Sequence, residues 1–314
     1  MTGMAVGRRR RGGRPINGWI NVDKPVGMTS AACVNRVRRV IDAAKLGHAG
    51  TLDPAASGVL PIALGEATKT MPFVVDTHKQ YVFTVNWGER RDTDDDQGRV
   101  VETADRRPSE ADIRAALPNF TGEIIQVPPA FSAIKVDGVR AYTLARAGEE
   151  VVLAARQISI LSFELLDIVD RDCARFAVKS GKGAYMRALA RDLASALGTC
   201  GHLSGLRRSA VGPFTEATAI SLEKLEELGH SAAVFPTLLP IETALDGIPA
   251  LAISVKEAAQ LRNGQAVPIM RPHDREQIEA VGDEGIVLAV EAATPVALAR
   301  VDGIQIRPVR VLNL

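Results

Sequence analysis

At 314 residues, with 46% hydrophobic and 24% charged side chains, the chain has the length and composition of a two-domain globular protein. Its 38 basic and 37 acidic groups leave a net +1, which argues against a strongly basic nucleic-acid binder; any polyanion must be met by local patches and shape. No apolar run reaches the roughly 18 residues that cross a membrane, and no secretory core follows the N-terminal arginines. Cys33, Cys173 and Cys200 lack the spacing of a disulfide or zinc framework, so a cytoplasmic protein with reduced thiols is expected.

Residues 1–15 are rich in Gly and Arg without apolar periodicity and read as a disordered basic arm. Five arginines and no acid fall in 1–14, which leaves about −4 for the remaining 300 residues. A short strand is predicted over 18–22 and a turn at Pro25-Val26-Gly27. Thr29 or Ser30 can then cap a helix with Cys33, Val37, Val40 and Ile41 on one face and Arg36, Arg38 and Arg39 on the other. The next segment, Gly47-His48-Ala49-Gly50-Thr51-Leu52-Asp53-Pro54, prescribes its backbone closely. Gly47 and Gly50 can take positive φ, and Pro54 pushes Asp53 toward an extended conformation. The apolar run over 58–65 reads as a buried strand. A carboxylate at the mouth of such a strand is either a turn-former or a catalytic group, and local pattern leaves both readings open.

Residues 81–87 alternate as a strand with Tyr81, Phe83 and Val85 on one side. The run Asp92-Thr93-Asp94-Asp95-Asp96-Gln97-Gly98 superficially resembles a calcium loop. Gln97 stands where an EF-hand needs Gly and Thr103 where it needs Glu, so an acidic hairpin turn is expected instead. A helix is predicted over 109–117, ending before Pro118. The mixed basic and aromatic stretch 129–151 reads as a mobile excursion from the core. Strands are predicted over 158–168 and 173–179, broken by Gly181 and Gly183. A helix follows, with Tyr185, Leu189, Leu193 and Leu197 at four-residue spacing. Residues 231–249, rich in Pro and short apolar pieces, mark a boundary. Beyond it come a helix over 256–263 closed by Gly264 and strands over 286–290, 296–301 and 306–311. The expected layout is therefore a domain over 16–248 and a small β-rich module over 249–314. His78, His202, His230 and His273 have no metal-ligand spacing, and no metal site is expected.

The segment 47–54, preceded by Val22-Asp23-Lys24-Pro25-Val26-Gly27-Met28-Thr29-Ser30, resembles the signature of the bacterial tRNA pseudouridine-55 synthases of the TruB type. The resemblance continues through Leu64-Gly65-Glu66-Ala67-Thr68-Lys69, Lys79-Gln80-Tyr81, Lys182-Gly183-Ala184-Tyr185-Met186-Arg187 and Leu206-Arg207-Arg208, spanning 18–215. It implies an α+β pseudouridine synthase fold: a long mixed, mostly antiparallel sheet with flanking helices, the site in its central cleft, and a PUA-like RNA-binding module at 249–314. It implies an isomerase that turns the T-loop uridine at tRNA position 55 into pseudouridine without a cofactor. That chemistry needs a carboxylate, a dry pocket for an extruded base and a cation that favours the charged carboxylate.

By the same resemblance Asp53 is the nucleophile, Arg187 the cation, and Tyr81 the aromatic that stacks on the base and can relay a proton. Tyr185 and Leu206 line the pocket and orient Arg187. His48 stacks in the gap the base leaves, with a general-acid role as its rival. Asp95 has a polar or RNA-contacting role, and Lys24 supports the catalytic loop. The implied partner is the tRNA T-stem-loop, read by a monomer with no obligate protein partner and no membrane contact, the 129–151 segment acting as a clamp. Two alternatives stand beside this reading: a synthase for another RNA, including a guide-dependent one, and an RNA-binding or tRNA-folding chaperone on the same scaffold.

Overall fold

The computed structural model describes residues 12–229, 231–282 and 285–314. Of the basic arm, residues 1–11 lie outside the described residues, as does His230. Arg14, placed in that arm by composition, already belongs to the fold. Its N–H donates to the Asp42 carbonyl at 2.6 Å, its carbonyl accepts from Ala44 at 3.0 Å, and its guanidinium lies 5.0 Å from the Phe235 ring centre.

The main sheet runs, in spatial order, through Ile220–Ser221, Gly18–Lys24, Ala56–Leu64, Gly201–Val211, Lys79–Trp87, Cys173–Ser180, Arg156–Ile168 and Gly122–Gln126. Leu46–His48 and Phe214–Thr215 pair alongside this path, making ten strands. Two of the pairings are parallel, Gly18–Lys24 with Ile220–Ser221 and Ala56–Leu64 with Gly201–Val211; the others are antiparallel. The sheet is thus mixed and mostly antiparallel.

Helices cover the sheet in two separate cores. Ser30–Ile41 buries Cys33, Val34, Val37, Val40 and Ile41 against Ile20, Val22, Leu60 and Ile62. Met186–Ala196 buries Leu189, Ala190 and Leu193 against Phe83, Phe163 and Phe176. Both helices carry the apolar stripe that their spacing predicts. Between the two cores the Gly201–Val211 strand lies parallel to the start of Ala56–Leu64 and antiparallel to Lys79–Trp87. Leu206 therefore pairs with both Ala56 and Phe83, and Arg208 with both Gly58 and Tyr81. Gly58 makes the approach possible: at φ +104° an added Cβ would sit 2.2 Å from the Arg208 carbonyl oxygen. This register brings the loop before Ala56 to the face of the sheet that carries Tyr81.

The C-terminal module is a five-stranded sheet in the order Ala250–Ala252, Ile286–Glu291, Thr294–Asp302, Gln305–Val311 and Val267–Pro268. Its helices are Val255–Arg262 and Pro272–Val281, the second not foreseen from sequence. Leu288, Leu298 and Leu312 join Trp19, Val211, Phe214 and Ile241 in one core, so the module is docked on the main sheet. The Leu64-to-Lys69 motif serves this junction. Lys69 pairs with Glu66 at 2.6 Å and donates to the Val311 carbonyl at 2.7 Å, while Glu66 accepts from the Asn313 N–H at 2.8 Å.

Candidate active site

The loop that carries Asp53 is built from below. Thr29 caps the Ser30–Ile41 helix by accepting from the Ala32 N–H at 3.1 Å, and this frees the Ser30 hydroxyl for another task. Ser30 Oγ donates to the Leu52 carbonyl at 3.0 Å and accepts from the Leu52 N–H at 2.8 Å. The Gly27 N–H donates to the Pro54 carbonyl at 2.7 Å. Lys24, fully buried, donates to the carbonyls of Pro25 and Met28 at 2.8 and 2.7 Å and so sets the turn that holds the loop. Burial holds its ammonium below the usual lysine range, while Asp53 works in the opposite direction. Of the two glycines, Gly50 takes the positive φ expected, at +90°. Gly47 does not; it is needed for space, since an added Cβ would lie 2.8 Å from Met71 Sδ.

Arg208 grips the same loop from the sheet. Its guanidinium, 2% exposed, donates to the carbonyls of Val59 at 2.8 Å and Gly50 at 2.9 Å and reaches Thr51 O at 3.5 Å, with the Tyr81 side chain close enough to act on its charge. Burial lowers the tendency of Arg208 to hold its proton, and the Tyr81 hydroxyl opposes that effect. Arg208 stands in the Leu206-Arg207-Arg208 motif, but an arginine in a polar run carries no signal in sequence of burial or of this role.

Asp53 meets Arg187 across the cleft. Arg187 projects from the first turn of Met186–Ala196, and its Nη2 lies 2.9 Å from Asp53 Oδ2. The Arg187 side chain is only 6% exposed, against 44% for Asp53, so the cation is sheathed and the carboxylate faces the opening. Further bonds hold it there: Nη1 to the Thr93 carbonyl and Nη2 to the Phe131 carbonyl, each at 2.9 Å, with Asp95 Oδ2 at 3.7 Å from Nε. The cleft between them has a volume of about 330 Å³, at the small end of ligand sites. Its walls include Asp53, Tyr81, Tyr185, Arg187, Leu206, Arg208 and Lys79. Tyr185 precedes the helix, its backbone held by Gln126 through two bonds of 2.8 and 3.1 Å, and Arg156 lies 4.9 Å from its ring centre. The structure therefore gathers five of the sequence-derived residues, Asp53, Tyr81, Tyr185, Arg187 and Leu206, around one cavity.

His48 and Asp95 lie outside the lining of that cavity. His48 stands beside its mouth, half-buried on the Leu46–His48 strand, its Nε2 3.2 Å from Thr51 Oγ1. Burial, and then the Arg208 charge, lower its pKa, which favours a neutral ring at pH 7. Asp95 is held among polar partners behind Arg187. It is 7% exposed, and its Oδ1 accepts from the Thr93 hydroxyl at 2.6 Å and the Gln97 N–H at 3.1 Å. It backs Arg187 in a hairpin that is packed against the sheet. That hairpin joins the strands Glu89–Arg91 and Val100–Thr103. His202, 2% exposed, anchors it through Glu89 O and Asp96 Oδ1, both at 2.9 Å. Asp94 is paired with Arg191 at 2.8 Å; burial raises its pKa and the arginine counteracts this. Among the described residues no group of three or more His, Cys, Asp or Glu side chains could hold a metal ion. Cys33, Cys173 and Cys200 are free thiols.

With this geometry in place, comparison with known proteins is specific. The family described as "TruB family pseudouridylate synthase (N terminal domain)" matches residues 38–186, and "tRNA pseudouridylate synthase B C-terminal domain" matches 187–246. The chain is 53% identical over 306 residues to the tRNA pseudouridine synthase B of Rhodospirillum rubrum, covering 98% of this chain and 99% of that protein. It is 49% identical to the protein of the same name from Caulobacter vibrioides, again over 98% of this chain and 99% of the relative. Among solved structures it is similar to the archaeal box H/ACA sRNP Nop10–Cbf5 complex. There the TM-score is 0.71 at 26% identity, over 94% of this chain and 86% of the other.

Proposed function

The chain belongs to the TruB family of pseudouridylate synthases, and from that premise we propose that it isomerises the uridine at position 55 of the tRNA T-loop, with Asp53 as nucleophile. It is an isomerase of the tRNA pseudouridine synthase class. The observation that carries the residue assignment is the Asp53–Arg187 pair at 2.9 Å, with a half-exposed carboxylate on a sheathed cation beside Tyr81. A base extruded from the T-loop enters the cleft and stacks on Tyr81, a contact worth roughly 1–3 kcal/mol. Leu206 and Tyr185 close the cavity and exclude water. Arg187 holds Asp53 toward the nucleotide through a bridge whose other ends are backbone carbonyls, so the carboxylate is placed before substrate arrives. His48, at the mouth and outside the cavity, is positioned to fill the gap in the RNA stack rather than to touch the extruded base.

The segment 129–151 is the clamp in this reading. It is mostly exposed, and its root is tied to the site through the Phe131 carbonyl on Arg187. The module over 249–314 extends the contact along the tRNA as a PUA-like domain. Loop bases can be splayed and read, which suits a hairpin substrate to a protein whose bulk charge is near zero. We place the enzyme in the cytoplasm, acting as a monomer; no helix among the described residues is long and apolar enough to cross a membrane. Relatives named for tRNA are about 50% identical over the full length, and this favours the tRNA reading over a guide-dependent one, whose structural neighbour stands at 26%.

The test is mapping of pseudouridine in unmodified tRNA by carbodiimide labelling after incubation with wild type and Asp53→Asn. Wild type should convert position 55 alone, and the variant should bind tRNA within a few-fold yet convert none. Retention of a tenth of the wild-type rate by the variant, with deamidation excluded, refutes the role of Asp53. Conversion at another site refutes the substrate.

A further inference from the structure

The lining of the cleft carries two buried cations, Lys79 and Arg208, that form no ion pair with a carboxylate among the described residues. Lys79 is 6% exposed and lines the cavity two residues before Tyr81, on the same face of the strand. Its ammonium donates to the carbonyls of Val75 and Thr77, which occupy two of its three N–H groups. Among the described residues the Arg208 guanidinium donates to backbone carbonyls, those of Val59, Thr51 and Gly50. Asp76, the acid with most influence on Lys79, makes its ion pair with Lys182 instead, at 2.9 Å. Burial, and next the Arg208 charge, bring Lys79 down to about 8. Buried charges without counterions are destabilising, so folding does not account for this arrangement. The negative charge it suits must come with the substrate.

Phosphate is the obvious anion in RNA, but extrusion sends the base into the pocket and leaves the backbone at its mouth. The group that reaches a buried lysine below Tyr81 is the pyrimidine ring. In the reaction proposed above, that ring gains negative charge by any route. Attack at carbon 6 pushes the C5–C6 electron pair toward O4. Cleavage of the N1–C1′ bond leaves its pair on N1, shared with O2 and O4. The ring later rejoins through C5, which loses a proton, while N1 gains one.

We propose that Lys79, backed by Arg208, stabilises the negative charge on the uracil ring while its glycosidic bond is broken. The inference rests on the pseudouridine reading and adds a cation from the lining of the same cavity as Asp53. Fixed cations in a water-poor site act strongly on developing charge, and loss of one such group lowers a rate by roughly 10²–10³-fold.

The experiment is single-turnover cleavage of the N1–C1′ bond at saturating T-stem-loop RNA, with uridine or 5-fluorouridine at the target position. Nucleoside digestion scores loss of the N-glycoside for wild type, Lys79→Met and Lys79→Arg. Lys79→Met should slow uridine by roughly 10² with RNA affinity within about threefold. 5-Fluorouracil is the more acidic base and needs less help, so its deficit should shrink to below about tenfold. Lys79→Arg keeps the charge and should stay within about tenfold of wild type on both. An equal deficit on both bases overturns the proposal, as does a defect confined to RNA affinity or a wild-type rate for Lys79→Met. A melting curve and RNA titration on each variant establish that it is folded. Failure of wild type to convert uridine would instead remove the isomerase reading itself.

Discussion

Removing Arg187 should destabilise the fold, whereas removing its partner Asp53 should not, although both changes should abolish activity. The asymmetry follows from burial. The Arg187 side chain is 6% exposed and is shared by Asp53, Asp95 and the Thr93 and Phe131 carbonyls; the Asp95 side chain is also buried, while that of Asp53 is 44% exposed. Arg187→Met leaves Asp95 buried beside apolar carbon, and breaking such a pair costs about 3 kcal/mol at the lower end of its range. For a domain of this size each kcal/mol shifts Tm by roughly 2–4 °C, so the variant should melt about 6–12 °C lower. Asp53→Asn gives up a bridge whose acid is largely solvated, worth under about 1 kcal/mol. Its Tm should therefore fall by no more than about 4 °C. A third variant separates uncompensated charge from lost packing. Adding Asp95→Asn to Arg187→Met removes the stranded carboxylate and should return about 1–2 kcal/mol, a non-additive effect of neighbours in one network. The assay is circular-dichroism melting at pH 7 on all four proteins. Equal Tm losses for Asp53→Asn and Arg187→Met would refute this account of the pair. So would a further loss on adding Asp95→Asn.

Tyr81→Phe should keep tRNA affinity near wild type and slow turnover by an order of magnitude or more, since stacking survives while the hydroxyl that can relay a proton is lost; near-normal single-turnover rates would return Tyr81 to a packing role. His48→Ala should weaken binding and flipping by roughly 1–3 kcal/mol, and His48→Gln should restore part of it. Its chemical step at saturating RNA should parallel wild type from about pH 5.5 to 8.5; a lost titration near neutrality would make His48 an acid instead. Hydrogen exchange should show fast amides over 129–151 that slow when tRNA binds, and full protection in the free protein would contradict the clamp.

Elements whose signal is local were legible in the chain. The helix Ser30–Ile41 followed from its cap and stripe, and the strands Lys79–Trp87 and Cys173–Ser180 from alternation. Asp53, Tyr81 and Arg187 were legible through the motifs that carry them. The strand Gly201–Val211 was not, though it lies at the centre of the sheet. It holds His202 and Arg208 in buried positions, and a polar side chain inside a strand mimics a loop until its partners are known. The acidic hairpin turn was legible, but the partners of its carboxylates were not, because Arg187, Arg191 and His202 reach them from distant segments. The sequence by itself determined the periodicities, the caps and the chemical types in the motifs, because these depend on near neighbours. Only the tertiary structure decided which charges are buried and which of them face each other. Burial is a property of packing between segments far apart in the chain, and it sets whether a carboxylate or a cation is solvated, paired or left to meet a substrate.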